Sequence, residues 1–261
     1  MLDRGVKCAT WNVNSIRARK ERALAWLRDR EPDVVCLQET KVPDEAFPAD
    51  ECRELGYEPV FHGQRAYNGV AILSRLPISD EVGGLGDEDD DSQARIIAAT
   101  TGGIRVISVY VPNGQAVGSE KFAYKLAWLE RLRRYLERCC EPTQPVLLAG
   151  DFNIAPDARD VHDPAAWEGK IMCSDEERSR LEAICAWGLR DTFRLHEDGG
   201  GFFSWWDYRM LGFPKNRGLR IDHIYATEPL AKACTAAYID REERKGKGPS
   251  DHAPVLAEFD L

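Results

Sequence analysis

The chain has 261 residues, 43% hydrophobic and 30% charged, with 35 Lys and Arg against 44 Asp and Glu for a formal net charge of −9. That composition excludes dominant disorder, and no apolar run approaches the ~18–20 residues a membrane span needs. The opening residues lack the apolar core of a signal peptide, so a cytoplasmic protein without membrane association is expected.

In chain order, residues 6–11 are apolar at alternate positions and read as a strand. Residues 18–30 read as a helix with Leu24 and Leu27 on one face and Pro32 marking its end. Residues 33–37 form a compact apolar run, the pattern of a strand buried on both faces. Further strands are expected at 69–74, 95–100, 104–111, 145–149, 220–226, 236–239 and 255–259. The clearest helix is 119–138, capped by Ser119, where Phe122, Leu126, Leu129, Leu132 and Leu136 recur at spacings of three and four. Lys and Arg are expected to fill its other faces. A second helix is expected over 175–187, with Asp175, Glu176 and Glu177 at the positive end of its dipole.

Alternating strands and helices define an α/β chain. No linker-like tract and no internal repeat divides it, so a single domain over 1–261 is expected. The acidic run 87–91 follows three glycines and reads as a solvated loop, because the ligand spacing of a calcium loop is missing. The eight cysteines include no C-x-x-C pair and read as reduced, mostly buried thiols. The acidic balance weighs against non-specific polyanion binding, unless carboxylates gather round a metal ion and reverse the local field.

Acidic and amide residues fall where the expected strands end, the usual address of chemistry in α/β architectures. Asn12 and Asn14 follow the first strand, and Glu39 and Lys41 the second. Tyr110 and Asn113 end a third, and Asp151 and Asn153 a fourth. Asp222 lies in a fifth, and Asp251 and His252 precede the last. Singly, each has a structural explanation as a turn former or a paired charge. Jointly, three or four carboxylates with amides, a Tyr and a His make a hard-oxygen site suited to Mg²⁺ or Mn²⁺ and to phosphoryl chemistry.

Several blocks then carry a resemblance. They are Thr10-Trp11-Asn12-Val13-Asn14, Leu37-Gln38-Glu39-Thr40-Lys41, Asn68-Gly69-Val70-Ala71-Ile72 and Gly150-Asp151-Phe152-Asn153. Trp187-Gly188-Leu189, Asp191-Thr192-Phe193-Arg194, Phe203-Ser204-Trp205-Trp206-Asp207-Tyr208-Arg209, Gly218-Leu219-Arg220-Ile221-Asp222 and Ser250-Asp251-His252 follow in order. Over nearly the whole chain the sequence resembles the exonuclease III family of abasic-site endonucleases, within the endonuclease/exonuclease/phosphatase superfamily.

The resemblance implies a four-layer α/β sandwich, two packed mixed β-sheets flanked by helices. It implies a DNA-repair nuclease that uses Mg²⁺, with Mn²⁺ as a substitute, to hydrolyse phosphodiesters in double-stranded DNA. Its activities would be 3′→5′ exonuclease action, incision 5′ to an abasic site, and removal of 3′-phosphate or other blocks. Glu39, Asn12 and Asp251 are implied as metal ligands. Asp151 would orient or deprotonate the water, with Tyr110 the alternative base and Asn153 as support. His252, oriented by Asp222, would bond the scissile phosphate. Trp205, Leu219 and Ile221 would line the pocket for an abasic sugar. Lys41, Tyr67, Arg95, Asn113, Asn216 and Arg217 would lie near backbone phosphates. The resemblance places His162 in a variable, DNA-facing loop, where it is expected to shift the balance between endonuclease and exonuclease. A monomer is expected. The rival readings are an exonuclease/3′-phosphatase with little abasic-site incision, a phosphatase or other phosphodiesterase on the same scaffold, and a non-catalytic nucleic-acid-binding regulator.

Overall fold

A computed structural model describes residues 5–87, 89 and 92–261. Two six-stranded mixed sheets lie face to face. The first runs β11 (Cys234–Ile239), β12 (Val255–Phe259), β1 (Val6–Asn12), β2 (Val34–Gln38), β4 (Val70–Ser74), β3 (Glu58–His62). The second runs β5 (Ile78–Gly83), β6 (Ile96–Thr101), β7 (Ile104–Tyr110), β8 (Val146–Asp151), β10 (Asp222–Thr227), β9 (Leu189–Asp191). Each sheet has one parallel pair, β1 with β2 and β7 with β8. Each pair is joined through a helix, α1 (Ile16–Arg30) in the first case and α3 (Glu120–Cys139) in the second, because parallel strands need a crossover. Short α2 (Ala49–Glu54) lies with α1 on the first sheet, while α4 (Pro164–Trp167), α5 (Asp175–Cys185) and α6 (Glu228–Lys232) follow α3 in the chain.

The pleat sorts side chains between layers. Val6, Cys8, Val34 and Cys36 pack inward against Val106, Leu147, Ala149 and Ile224 of the opposite sheet. Ala9, Trp11, Val35 and Leu37 point outward to Trp26 and Leu27 of α1. Ile107, Val109 and Leu148 point to Trp128, Leu129 and Leu132 of α3 and to α5. The same alternation sends Asn12, Gln38, Tyr110, Asp151 and Asp222 inward at one end of the seam. There Gln38 bridges the sheets, donating to Ser108 Oγ (3.2 Å) and accepting from Thr10 Oγ1 (3.2 Å).

Several expectations need correction. The strands β3, β5 and β9 were not anticipated. β5 is exposed along nearly its whole length, so it carries no apolar alternation, and β9 has only three residues. The strand expected at 220–226 begins at Asp222, since Arg220 and Ile221 belong to the preceding loop. The helix expected over 175–187 ends at Cys185, and α1 starts at Ile16 under a Ser15 cap. The buried residues of α1 are Ile16, Ala23, Trp26 and Leu27, with Leu24 only half-buried. Lys125 of α3 is fully buried, against the rule that placed every Lys and Arg on an outer face. All eight cysteines are free, yet only Cys8, Cys36, Cys52 and Cys173 are buried. Asp87 is held by Arg131 of α3 through two 2.7 Å bonds, not left to solvent; Glu88, Asp90 and Asp91 lie outside the described residues.

Beneath the second sheet lies a sealed polar network. Arg220 donates to Asp160 Oδ1 (2.6 Å), Asp191 Oδ2 (2.7 Å) and His223 Nδ1 (3.0 Å). A guanidinium only donates, so Nδ1 must accept and the proton sits on Nε2, which donates to Ile154 O (2.9 Å). Burial, reinforced by the Arg220 charge, lowers His223 from 6.5 to about 4. The imidazole is therefore neutral in the fold, and its contribution is complete above 6.5 and lost as pH falls toward 4. Between pH 7 and 5 this group is expected to remove about 2 kcal/mol of stability. Urea unfolding of His223→Gln should show a pH slope shallower by that amount; equal slopes would refute the assignment.

Candidate active site

Four strand ends and three loops meet at the polar end of the seam. Register places Asp222 of β10 directly beside Asp151 of β8, and Asp151 beside Tyr110 of β7. Close approach of β8 to β7 requires Gly150, where a Cβ would fall 1.9 Å from Val109 O. That explains the Gly before Asp151. Across the seam, Asn12 Nδ2 donates to Asp151 Oδ2 (2.9 Å) and to Glu39 Oε1 (2.7 Å). Asn12 Oδ1 accepts from Asn14 N (2.9 Å), which orients the amide.

Glu39 has left β2 and sits at a left-handed φ of 52°, as do Asn14, Ser15, Lys41, Asn68 and Asn153 around it. Such strain concentrates at sites where side-chain placement is over-determined by the surroundings. Main-chain bonds from Ser15 N to Glu39 O (2.7 Å) and from Lys41 N to Asn68 O (2.9 Å) hold the turn. Lys41 Nζ pairs with Glu39 Oε2 and donates to Asn14 Oδ1, each at 2.6 Å.

His252 lies between two carboxylates. Its Nδ1 faces Asp222 Oδ2 at 2.8 Å and its Nε2 faces Asp151 Oδ2 at 3.8 Å. Burial alone would lower His252, but Asp222 and Asp151 reverse that and raise it, so the ring is an imidazolium at neutral pH. Burial, together with Asp222 and Glu39, raises Asp151 despite the opposing pull of His252 and Asn12. Burial and the negative charges of Glu39 and Asp151 push the Tyr110 phenol far up, so it stays protonated. Glu39, Asp151 and His252 bring polar side-chain atoms within 4.8 Å of one another, and with His252 protonated it is the Glu39 and Asp151 carboxylates that could hold a metal ion there. Asp251 is not in that group: its carboxylate accepts from Asn14 Nδ2 (2.9 Å) and Trp205 Nε1 (3.0 Å).

Other expected residues divide into those at the surface and those within. Tyr67 (71% exposed) and Arg217 are open to solvent, and Arg95 stacks over Tyr110 at 4.9 Å while donating to its carbonyl (3.3 Å). Asn113 donates to Asn153 Oδ1 (3.0 Å). Asn216 is spent internally, between Trp206 Nε1 and Gly201 O. Leu219 and Ile221 are buried among Ala155, Val161 and Met172, with Trp205 and Trp167 at the rim, so neither reaches the surface. His162 is half-buried, its Nδ1 3.2 Å from Gly218 O and its ring edge-on to Trp167 and Phe203. A cleft of about 730 Å³ continues from Lys41 past Arg17, Lys20 and Arg65.

Sequence reasoning missed the supporting hydroxyls and Lys125. Ser204 Oγ donates to Asp222 Oδ2 (2.6 Å) and accepts from the Ile221 and Asp222 amides (3.0 Å each). Ser250 Oγ donates to Asn12 O (2.7 Å). Both serines stand inside the quoted blocks, which was the only available signal.

Residues 9–252 match the Endonuclease/Exonuclease/phosphatase family, and the chain belongs to it. It is a hydrolytic nuclease of the exodeoxyribonuclease III kind. Exodeoxyribonuclease III of Haemophilus influenzae is 38% identical across 97% of this chain and all of its own length. Among solved structures, the 3′ phosphatase NExo from Neisseria, bound to a product DNA hairpin, is 43% identical with a TM-score of 0.94. An AP endonuclease from Archaeoglobus fulgidus is 39% identical with a TM-score of 0.93, and each structure is covered completely by 98% of this chain.

Ser204→Ala would strand two buried amides and strip Asp222 of a donor. The expected cost is about 1–3 kcal/mol, measured by urea unfolding; a loss below a few tenths would show that Ser204 is not the keystone of this loop.

Proposed function

We propose that this nuclease is a Mg²⁺-dependent DNA-repair enzyme that cleans 3′ ends and incises double-stranded DNA 5′ to abasic sites. The observation that carries the reading is Asp151, a buried carboxylate held by Asn12 Nδ2 and by Asn153 N (2.9 Å) and faced by the His252 imidazolium. Glu39, with Asn12 and Asp251 nearby, supplies the oxygen-rich side on which Mg²⁺, or Mn²⁺ in its place, would be held. The bound ion would neutralise charge on the phosphate and on the departing oxygen.

Asp151 takes the proton of the attacking water as the new P–O bond forms and the bond to the 3′-oxygen breaks. Its raised proton affinity suits it to that task. The protonated state of Tyr110 supports a donor role toward phosphate and favours Asp151 as base. His252 donates from Nε2 to a phosphate oxygen, with Asp222 fixing the other nitrogen. Lys41, Tyr67, Arg95, Asn113 and Arg217 meet the DNA backbone, contacts that position a duplex without reading its sequence. The enzyme acts as a monomer in a single domain.

Labelled duplexes with a central abasic analogue, or with a recessed or phosphorylated 3′ end, test this directly. Cleavage with Mg²⁺, none with EDTA, and a loss of about 100-fold or more in Asp151→Asn are expected. Full activity in EDTA would overturn the metal-dependent reading.

A second reading, 3′-end processing with little abasic-site incision, is favoured by the ring contacts that pack His162 against Gly218 and the rim of the Leu219–Ile221 cluster. The likeness to a 3′ phosphatase at 43% identity points the same way. His162→Gly is expected to raise abasic-site incision relative to 3′-end digestion, and an unchanged ratio would remove His162 from the account.

A further inference from the structure

The inward surface of α3 carries one fully buried ammonium, Lys125. Three donors find three acceptors: Asn153 O (2.7 Å), Asn113 O (3.2 Å) and the Glu177 carboxylate. Glu177, itself fully buried, also accepts from Met172 N (3.0 Å), Ser174 N (3.1 Å) and Ser174 Oγ (2.7 Å), which seals the start of α5 to the same point. The loop after β7 wraps the lysine stem: Gly114, at φ +86°, leaves only 3.0 Å between a notional Cβ and Lys125 Cδ.

Both carbonyls belong to residues whose other groups face the site. Asn153, at φ 51°, turns its N–H onto Asp151 Oδ1 (2.9 Å), and Asn113 Nδ2 bonds Asn153 Oδ1 (3.0 Å). We infer that Lys125 is a positioning residue for hydrolysis: by gripping the carbonyls of Asn113 and Asn153 from beneath, it sets the loop conformation in which the Asn153 amide holds Asp151. The inference rests on Asp151 acting as the base. Lys125 is fully buried, so its removal is expected to lower turnover more than substrate affinity, which it reaches only through Asn113.

The test replaces the buried pair as a unit, Lys125→Met with Glu177→Leu, because an apolar substitute for both partners preserves folding better than leaving one charge alone. With the 3′-end duplex and Mg²⁺, kcat is expected to fall about 10- to 100-fold, with a smaller change in KM. Introduced into Asp151→Asn, where the carboxylate that the Asn153 amide holds is already gone, the same pair should lower the residual kcat by less than about 2-fold, the non-additivity of residues that act through one another. Lys125→Gln, which keeps a donor for Asn153 O, is expected to fall between wild type and the pair variant, and it serves if the pair variant does not fold. An equal fold-change in both backgrounds, or unchanged kcat in a folded Lys125 variant, would overturn the inference. Wild-type activity in Asp151→Asn would overturn the underlying base assignment instead, and that measurement is independent of the Lys125 series.

Discussion

On neighbouring strands of the second sheet, Asp151 and Asp222 sit side by side with both carboxylates sealed from solvent, an arrangement that is costly unless positive charge and donors are brought to it. The His252 imidazolium lies between them, Asn12 reaches across the seam to Asp151, and Ser204 closes over Asp222. Each compensating group comes from a different part of the chain. Remove this demand for compensation and much of the local architecture loses its reason: the left-handed turns at Glu39 and Asn153, the Ser250 bond to β1, and the inward amide of Asn12.

Much of this is legible in the amino-acid sequence. Period-two patterns located the central strands, and strand ends carried the acidic and amide residues, so Asn12, Glu39, Tyr110, Asp151 and Asp222 could be named and are found together. Illegible features share a physical cause. β5 lies at a sheet edge and, beyond Ile78, has its residues exposed, so little burial constraint shaped its sequence. Lys125 has the composition of a surface residue, and only the three-dimensional meeting of two loop carbonyls with Glu177 makes its burial tolerable. Leu219 and Ile221 were expected to line a pocket; packing against Val161 and Met172 closes over them, a matter of tertiary contact that local pattern does not encode.

The two sheets are built alike around the site. β1-α1-β2 and β7-α3-β8 each present the ends of a parallel pair to the seam, and every end delivers a polar side chain. What distinguishes the halves is their chemistry: the first sheet offers Asn12 and Glu39, the second Tyr110, Asp151 and Asp222. Gln38, bonded to both sheets just below, couples their relative position to the geometry above.

That division has a consequence for the order in which the charges of the site are assembled. Asn12, Glu39, Tyr110 and Asp151 are all present in a chain that has been made only as far as β8, but the imidazole that balances Asp151 arrives with His252, just ahead of β12. β12 is also the strand that lies beside β1 in the first sheet. Completing that sheet and completing the charge balance beside Asp151 are thus one event.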